Sequence, residues 1–368
     1  MGRGTVVLHL SRPPHFLESH EGATLRAVAE WIARLKDFEF AGLHDAASIY
    51  SGSLFFVPDD ALVRAEADVL GVACADELFG AVVPHEFVKT KIITHELVGP
   101  RAARPHGWRD AFASRVRDVV LPGYSVFARH DAREAAERLL PVGRMRAKLP
   151  RSAGARGQRT LTAMREVDAL LESVSDEDLA EHGLLLEIDL DPVTTLSVGQ
   201  VTLDGARISY HGHQRMTRDN AGGAVYGGSD LTCVRGGWAA LDRLALDGEM
   251  RVAIRQARVY DDATAEYGLI ASRRNYDVGQ GVDAAGRRHS GVFEASWRAG
   301  GASPAEIAAL EAFARDPSIQ LVRVSTVETY GADIVPPPGA IVHFHGVDKL
   351  AGPIARYTVV HDATRVAA

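Results

Sequence analysis

Residues 271–306 combine side chains that suit a hard cation together with phosphate. The segment reads ASRRNYDVGQGVDAAGRRHSGVFEASWRAGGASPAE, with strand-like runs at 271–278 and 290–298 around a turn-rich centre. Strand side chains alternate with a period of two, so each run presents one polar face. The polar faces hold Arg273, Asn275 and Asp277 in the first run and Glu294, Ser296 and Arg298 in the second. Carboxylate oxygens are ligands for Mg²⁺, and arginine binds phosphate oxygens with its bidentate fork. A solvated sheet surface would show the same pattern, so both interpretations stay open here.

The surroundings of these side chains predict a hairpin that ends at a helix. Phe293, Ala295 and Trp297 alternate with the polar residues of the second run and are expected to face a core. After the glycines that follow, Ser303 and Glu306 have the spacing of a capping box, with Pro304 at the first helical position. A glycine turn before a helix presents N–H groups to an anion. A well-capped structural helix is the alternative.

A lone lysine at the end of a short strand is the second feature that suits phosphate. In MRAKLPRSAGARGQ, Lys148 ends an alternating run, and Gly154 and Gly157 lie in the loop that follows. The next extended runs are GLLLEIDL, over 183–190, and TTLSVGQVTLDGARISYH, whose Asp204-Gly205 pair predicts a tight hairpin.

The elements that carry these residues predict an α/β unit followed by α+β units. Residues 5–10 and 53–58 are expected to be strands and 23–36 a helix, with Asp59 or Asp60 capping the next helix and Gly71 ending it. This order predicts a small parallel α/β domain over 1–88. Residues 216–230 are expected to form a glycine-rich functional loop.

Composition excludes several classes of partner. The formal charge is −7 and basic runs are short, so neither nucleic acid nor an anionic membrane is an expected partner. Only Cys74 and Cys233 occur, which argues against a disulfide framework and favours a reducing, cytoplasmic setting. No stretch approaches the length of a membrane span. Small-molecule partners are therefore expected, and the oligomeric state stays open.

The order of these segments resembles the ATP-grasp superfamily of carboxylate–amine ligases, in an uncharacterised bacterial branch. The resemblance lies in RAKLPRSAGARGQ, LLLEIDLDPVTTLSVGQV and NYDVGQGVDAAGRRHSGVFEASWRAGGAS, and it spans about 85–315. It implies an α+β ATP-grasp fold with two α+β subdomains that grip a nucleotide, preceded by the small parallel α/β domain. The implied units are 1–88, then 89–190 with Lys148 and the glycine-rich loop, then 191–315 with the metal site, and a C-terminal extension over 316–368 packed on the core.

The resemblance also implies a role for each matching residue. ATP would contact Lys148, the loop with Gly154 and Gly157, and an adenine hinge at 185–190. A second phosphate lysine would be Lys91, with Lys89 as the alternative, and Asp191 or Thr194 falls at the ribose position. The metal positions match Asp277, Glu294 and Ser296. Catalytic roles fall to Arg298, Arg273 and Asn275. The complete set of implied nucleotide contacts is Lys91, Lys148, Gly154, Gly157, Leu186, Glu187, Ile188 and Asp191.

The expected function is an ATP-dependent ligase that uses Mg²⁺, or Mn²⁺ in its place, to activate a carboxylate as an acyl phosphate for an amine or another nucleophile. Ser296 stands where the superfamily usually has asparagine, which motivates a nucleotide-binding protein without ligase chemistry as the alternative. A metal-dependent hydrolase that uses the histidine pairs of HGH, at 211–213, and HFH, at 343–345, is a further alternative.

Overall fold

The computed structural model describes residues 3–149 and 158–365. Gly154 and Gly157, the two glycines of the predicted phosphate loop, lie outside these described residues.

The strands are β1 (Gly4–His9), β2 (Glu39–Leu43), β3 (Ser53–Pro58), β4 (Leu62–Val63), β5 (Ala81–Val83), β6 (Gly123–Val126), β7 (Met145–Lys148), β8 (Gln158–Leu161), β9 (Leu184–Ile188), β10 (Val193–Leu203), β11 (Ala206–Arg218), β12 (Ala224–Arg235), β13 (Ile270–Ala271), β14 (Arg273–Val282), β15 (Arg288–Ser296), β16 (Ile319–Tyr330), β17 (Ile341–Asp348) and β18 (Gly352–Arg365). The α-helices are α1 (His20–Lys36), α2 (Arg64–Leu70), α3 (Asp110–Val116), α4 (Arg129–Leu139), α5 (Met164–Glu172), α6 (Asp176–His182), α7 (Trp238–Leu241), α8 (Gly248–Ala263) and α9 (Ser303–Arg315). Short 3-10 helices cover Pro14–Glu18, Ala75–Glu77, Glu86–Lys89, Lys91–Thr94, Arg117–Val119 and Thr264–Tyr267.

The N-terminal segment forms the parallel sheet that its sequence predicts. The strand order is β2-β1-β3, with both neighbours parallel to β1, and α1 connects β1 to β2. Helix α1 begins where the Ser19 side chain accepts a hydrogen bond from the Gly22 N–H, and it ends at Asp37 in the left-handed conformation.

The predicted cap of α2 is wrong. Its N-cap is Val63, and Gly71 ends the helix in the left-handed conformation, as the sequence predicts. The Asp59 carboxylate instead accepts hydrogen bonds from the backbone N–H groups of Ser11 and Arg12. Asp59 therefore ties the loop after β1 to the end of β3, at the edge where parallel sheets commonly bind ligands.

A four-stranded antiparallel sheet, β6-β9-β7-β8, carries Lys148 at the end of β7. Strand β9 lies in its interior, so its main chain is paired on both sides. Its apolar side chains pack with those of α4, α5 and α6, which separates this core from the one under the larger sheet.

One antiparallel sheet of eight strands forms the centre of the molecule, in the order β15-β14-β10-β11-β12-β16-β18-β17. The Asp204-Gly205 pair makes the predicted tight turn between β10 and β11. The expectation of a long loop over 216–230 is wrong, because β11 and β12 continue pairing as far as Arg218 and Ala224. Polar residues on both strand faces conceal this pairing from a hydrophobic pattern, since many of these side chains are solvated.

The C-terminal strands belong to the same sheet. β16 pairs with β12 on one side and with β18 on the other, and β17 forms the edge. The resemblance found in the sequence implies that 316–368 is an extension packed on the core. The structure corrects this description, because 319–365 supplies three of the eight strands of the main sheet. No α-helix in the part of the chain that the structure describes is long and apolar enough to cross a membrane.

Candidate active site

The predicted hairpin brings two carboxylates face to face. β14 pairs with β15, and Asp277 lies directly opposite Glu294. The register shifts immediately afterwards, because Val278 pairs with Val292 and leaves Phe293 as an extra residue. Such a β-bulge redirects the side chains of the bulged strand.

Phe293 is buried, with 8% exposure, and packs into the core beneath the four-stranded sheet, as the prediction of a core-facing residue requires. A Cβ placed on Gly279 would lie 2.0 Å from Phe293 Cε1, so the ring covers that glycine. Asp277 and Gly279 share a strand face, and Phe293 therefore lies on the same side as the carboxylates. Trp297 is buried as predicted, with 3% exposure.

The Asp277 carboxylate is strongly perturbed. Burial raises its pKa, and the neighbouring Glu294 charge raises it further, to about 6. Hydrogen bonds from the Asn275 amide, at 2.9 Å, and the Ser197 hydroxyl, at 3.2 Å, oppose this rise and fix the orientation of the carboxylate. Two carboxylates held this close repel each other in the absence of a cation.

Lys91 lies beside the carboxylate pair. Its ammonium group is 3.5 Å from Glu294 Oε2, and its side chain is 4% exposed. The alternative lysine, Lys89, instead pairs with Glu86 at 2.7 Å and with Asp60 at 3.7 Å. Of the two sequence candidates, Lys91 is the one that the structure brings to the carboxylates.

Arg273 forms a buried ion pair. Its guanidinium donates to both Glu306 oxygens, at 2.7 and 2.8 Å, and Arg273 is 1% exposed. The Tyr210 hydroxyl lies 2.7 Å from Glu306 Oε1 and 2.9 Å from Asn275 Oδ1. This ion pair holds α9 against β14, and the catalytic role of Arg273 stays a prediction.

The capping box predicted at Ser303 and Glu306 is wrong for the same reason. The N-cap is Ala302, without a side-chain cap, and α9 already begins at Ser303. Glu306 is completely buried, so its carboxylate serves Arg273 and not the helix end. The spacing fits a capping box, but tertiary pairing decides the contact.

The carboxylate pair opens into a large groove. The groove has a volume of about 540 Å³ and is also lined by Asn275, Ser296, Arg298, Phe293 and Gln214. The Arg298 guanidinium donates to the Ala299 carbonyl at 2.9 Å. The hairpin therefore presents the predicted metal and phosphate side chains to one cavity, which Arg273 also lines although its charge is paired with Glu306.

Lys148 is buried in a charge network and does not face an open cleft. Its ammonium group lies 2.7 Å from Glu187 Oε1, donates to the Phe293 carbonyl at 3.2 Å, and lies 4.5 Å from the centre of the Phe293 ring. Glu187 also contacts His95 Nε2, at 3.0 Å. Burial lowers the pKa of Lys148, while Glu187 opposes this shift. Burial alone would raise the pKa of Glu187, but Lys148 and His95 lower it to about 2.

The predicted adenine hinge is mostly internal. Leu186, Glu187 and Ile188 are at most 2% exposed. The backbone of Glu187 pairs with Gly123 on one side and Arg146 on the other. Any hinge contact with a base therefore falls to the main chain that follows β9, because the side chain of Glu187 holds Lys148.

The two ribose candidates lie in different places. Thr194 lines the groove. Asp191 is 68% exposed and pairs with Arg144 at 3.0 Å, and it precedes a cis proline. Of the two, Thr194 is the one that faces the cavity.

Several groove residues have no signal in the sequence. Arg12 follows β1, Glu21 lies in the first turn of α1, and Glu328 and Arg356 belong to β16 and β18. Each is a single charged residue without a motif around it. Glu328 and Arg356 reach the groove only because the C-terminal strands β16 and β18 join the main sheet.

The histidine pairs do not form a metal site. Burial and the neighbouring His213 lower the pKa of His211 to about 4, and burial followed by Arg356 lowers that of His343 to about 4. Among residues 3–149 and 158–365, no cluster of three or more histidine, cysteine, aspartate or glutamate side chains is arranged to hold a metal ion. A cation at Asp277 and Glu294 would therefore need other oxygen ligands, such as phosphate and water.

Solved structures share this fold across almost the whole chain. The ADP complex of PurK, N5-carboxyaminoimidazole ribonucleotide synthetase, matches with a TM-score of 0.54 at 13% identity, over 98% of this chain and 93% of that one. N5-carboxyaminoimidazole synthase from Aspergillus clavatus, in complex with ADP and 5-aminoimidazole ribonucleotide, matches with a TM-score of 0.52 at 12% identity, over 98% and 95%. Phosphoribosylamine–glycine ligase from Thermotoga maritima gives 0.52 at 13% identity, over 97% and 92%. These likenesses show that the chain has the ATP-grasp fold, as its sequence predicts.

Sequence comparison gives a family assignment. The family model described as "Protein of unknown function (DUF3182)" matches residues 7–358. No curated protein matches the chain in sequence.

Proposed function

The chain belongs to the DUF3182 family, and we propose that it is an ATP- and Mg²⁺-dependent ligase that activates a substrate carboxylate as an acyl phosphate. The observation that carries this proposal is the facing pair Asp277 and Glu294, which opens into the same groove as Arg298. A repelling carboxylate pair beside an arginine suits a cation–triphosphate complex. The solved structures of this fold that hold ADP support ATP as the nucleotide.

The carboxylate pair fits a divalent cation. The raised pKa of Asp277 indicates that burial and the Glu294 charge destabilise its ionised form. A cation between the two carboxylates would relieve this repulsion. Mg²⁺ usually takes one or two protein carboxylates and completes its shell with phosphate oxygens and water, and Mn²⁺ has similar ligand preferences. Bound there, Mg²⁺ would neutralise charge on the triphosphate. Ser296 lines the same groove and is a further oxygen donor in this proposal.

Cationic side chains provide the remaining phosphate contacts in this proposal. Lys91 is close enough to Glu294 to reach a phosphate bound beside it. Lys148 is fully buried beneath the Phe293 ring. It can therefore contact the nucleotide only if the Phe293 side chain moves when the nucleotide binds. Arg298 steadies the transferred phosphoryl group, and Asn275 orients Asp277. Catalysis of this kind consists mainly of positioning and charge neutralisation.

The reaction has two balanced steps. An oxygen of the substrate carboxylate attacks the γ-phosphorus, the bond to the β-phosphate oxygen breaks, and ADP leaves. An amine or another nucleophile then attacks the acyl carbon, inorganic phosphate leaves with the bonding electron pair, and the nucleophile loses a proton. The bond formed is carbon–nitrogen when the nucleophile is an amine.

Calorimetric titration with ATP tests nucleotide and cation binding together. We expect tight binding in Mg²⁺ or Mn²⁺ and a loss of affinity of at least about tenfold in EDTA, because triphosphate and two carboxylates repel without the cation. Equal affinity in EDTA would remove the metal assignment.

An ADP-release screen over acids crossed with amines tests the chemistry. We expect ADP production that requires both an acid and a nucleophile and that is lost in Asp277→Asn. Tight binding of ATP with Mg²⁺ but no ADP release across the panel would instead identify a nucleotide-binding protein without ligase chemistry.

A further inference from the structure

The groove continues past the carboxylate pair to a cluster of arginines around Glu21. Arg12, Arg298 and Arg356 come from three distant segments, yet all three line the cavity together with Glu21. Arg12 NH1 lies 3.2 Å from Glu21 Oε2. These segments are the loop after β1, the residues after β15, and strand β18.

The charges of the three arginines also act on the Glu21 carboxylate. Burial alone would raise the pKa of Glu21, but Arg356, followed by His20, Arg12 and Arg298, lowers it below its ordinary value. The Glu21 side chain is nevertheless 44% exposed. It lies in the first turn of α1 and lines the groove.

The other carboxylates nearby are already paired. Asp59 lies 2.9 Å from Arg12 Nε. Glu328 lies 3.0 Å from Arg356 Nε, and both of these side chains are about one-tenth exposed. Arg298 makes no salt bridge to any carboxylate in the part of the chain that the structure describes. Without the Glu21 charge, Arg12, Arg298 and Arg356 together with Asp59 and Glu328 keep one net positive charge among the residues that the structure describes.

We propose that the Glu21 carboxylate occupies the binding position of a second carboxylate on the substrate, which displaces it between Arg12, Arg298 and Arg356. This inference rests on the proposed ligase function and names its substrate class as a small acid with two carboxylates. One carboxylate is activated beside Asp277 and Glu294, and the other anchors the molecule to the arginines. Glu21 then excludes smaller anions, because they must compete with it without the second attachment.

The charge count favours a carboxylate over a phosphate. The position already holds a carboxylate, and one net positive charge matches one carboxylate anion. A phosphate dianion would meet Asp59 and Glu328 without enough positive charge to compensate. The planar forks of the arginines also match carboxylate geometry.

Equilibrium titration of the full chain with succinate, propionate and inorganic phosphate tests this subsite. With Mg²⁺ present to offset the charge of Asp277 and Glu294, we expect succinate to bind at least about tenfold more tightly than propionate, from one extra charge-assisted contact. Glu21→Gln should tighten succinate binding by about tenfold, because it removes the competing charge. Arg356→Gln should weaken succinate binding by a similar factor. Glu18→Gln, at a neighbouring exposed carboxylate paired with Lys349, is the matched control and should change nothing.

The inference is overturned if Glu21→Gln leaves succinate affinity unchanged, if propionate binds as well as succinate, or if phosphate binds better than both. Glu21→Gln keeps the test decisive even if Arg356→Gln misfolds through loss of its pair with Glu328. Titration of the same proteins with ATP and Mg²⁺ separates the two proposals. Succinate binding without ATP binding would overturn the ligase proposal alone, whereas ATP binding without succinate binding would overturn the subsite alone.

Discussion

Asp277 makes the stability of the protein depend on pH and on cations. Burial and Glu294 raise its pKa from 3.8 to about 6. The folded state therefore holds this proton more tightly than the unfolded state, so the cation-free fold loses stability as the pH rises from 3.8 to about 6.

Asp277→Asn removes this loss. Asparagine still offers an oxygen to Asn275 and Ser197 but carries no charge against Glu294. At pH 8 without cations, we expect its melting temperature to exceed that of the wild type by roughly 5 °C. The same variant should gain no further stability from ATP with Mg²⁺.

Thermal melts at pH 4 and pH 8, with and without ATP and Mg²⁺, measure both effects. Glu249→Gln is a suitable control, because Glu249 is an exposed carboxylate 65% open to solvent. A wild-type pH profile in Asp277→Asn would contradict the assigned repulsion.

At the scale of elements, the Arg273–Glu306 pair joins α9 to β14, the second strand of the main sheet. We expect Glu306→Gln to lower the free energy of unfolding by about 3–5 kcal/mol, because it leaves the buried Arg273 charge without its counter-charge. Glu311→Gln, on the same helix, breaks only a pair with the exposed Arg315 and should cost about 0.5 kcal/mol or less. Urea denaturation compares the two, and equal losses would argue against a structural role for the buried pair.

Lys148 and Glu187 join β7 to β9 in the same way. Lys148→Ala should lower the free energy of unfolding by about 3–5 kcal/mol, because the buried Glu187 carboxylate then keeps only its contact with His95. Combining Lys148→Met with Glu187→Gln should recover most of that loss, since both charges are then removed.

Acid titration gives an independent measure of this second pair. The pKa of Glu187 is lowered from 4.5 to about 2, so its contribution to stability is present above pH 4.5 and is lost as the pH falls towards 2. Unfolding in urea between pH 5 and pH 2 should therefore show a weaker acid dependence in the double variant than in the wild type. An unchanged dependence would mean that other carboxylates dominate.

Local patterns predicted the elements, but not the partners of their charged residues. Alternation predicted the hairpin of β14 and β15, and the chain order predicted the parallel unit around β1. Arg273 and Glu306 are 33 positions apart, and neither residue shows in the sequence that the other is its partner. The bulge at Phe293 is equally hidden, because one extra residue leaves the alternation around it intact.

For the whole molecule, the eight-stranded sheet predicts that the C-terminal strands are indispensable. A chain that ends at Arg315 lacks β16, β17 and β18 and exposes the long edge of β12. We expect this truncated chain to lack a cooperative thermal transition and to aggregate, since an unpaired edge recruits other strands. Circular dichroism and gel filtration of the truncated and full chains test this. A soluble, cooperatively folding truncation would contradict this prediction.

The position of Arg356 also determines when the groove can be completed during synthesis of the chain. Strand β18 follows every other described strand in the chain, so it is the last of them to leave the ribosome. The nascent protein can fold its N-terminal and lysine-bearing units while that strand is still being made, because domains fold as they emerge. The groove gains its final arginine only when translation has passed Arg356. A chain synthesised only as far as β15 therefore has the carboxylate pair before it has the complete substrate groove, which delays the proposed chemistry until Arg356 has been added.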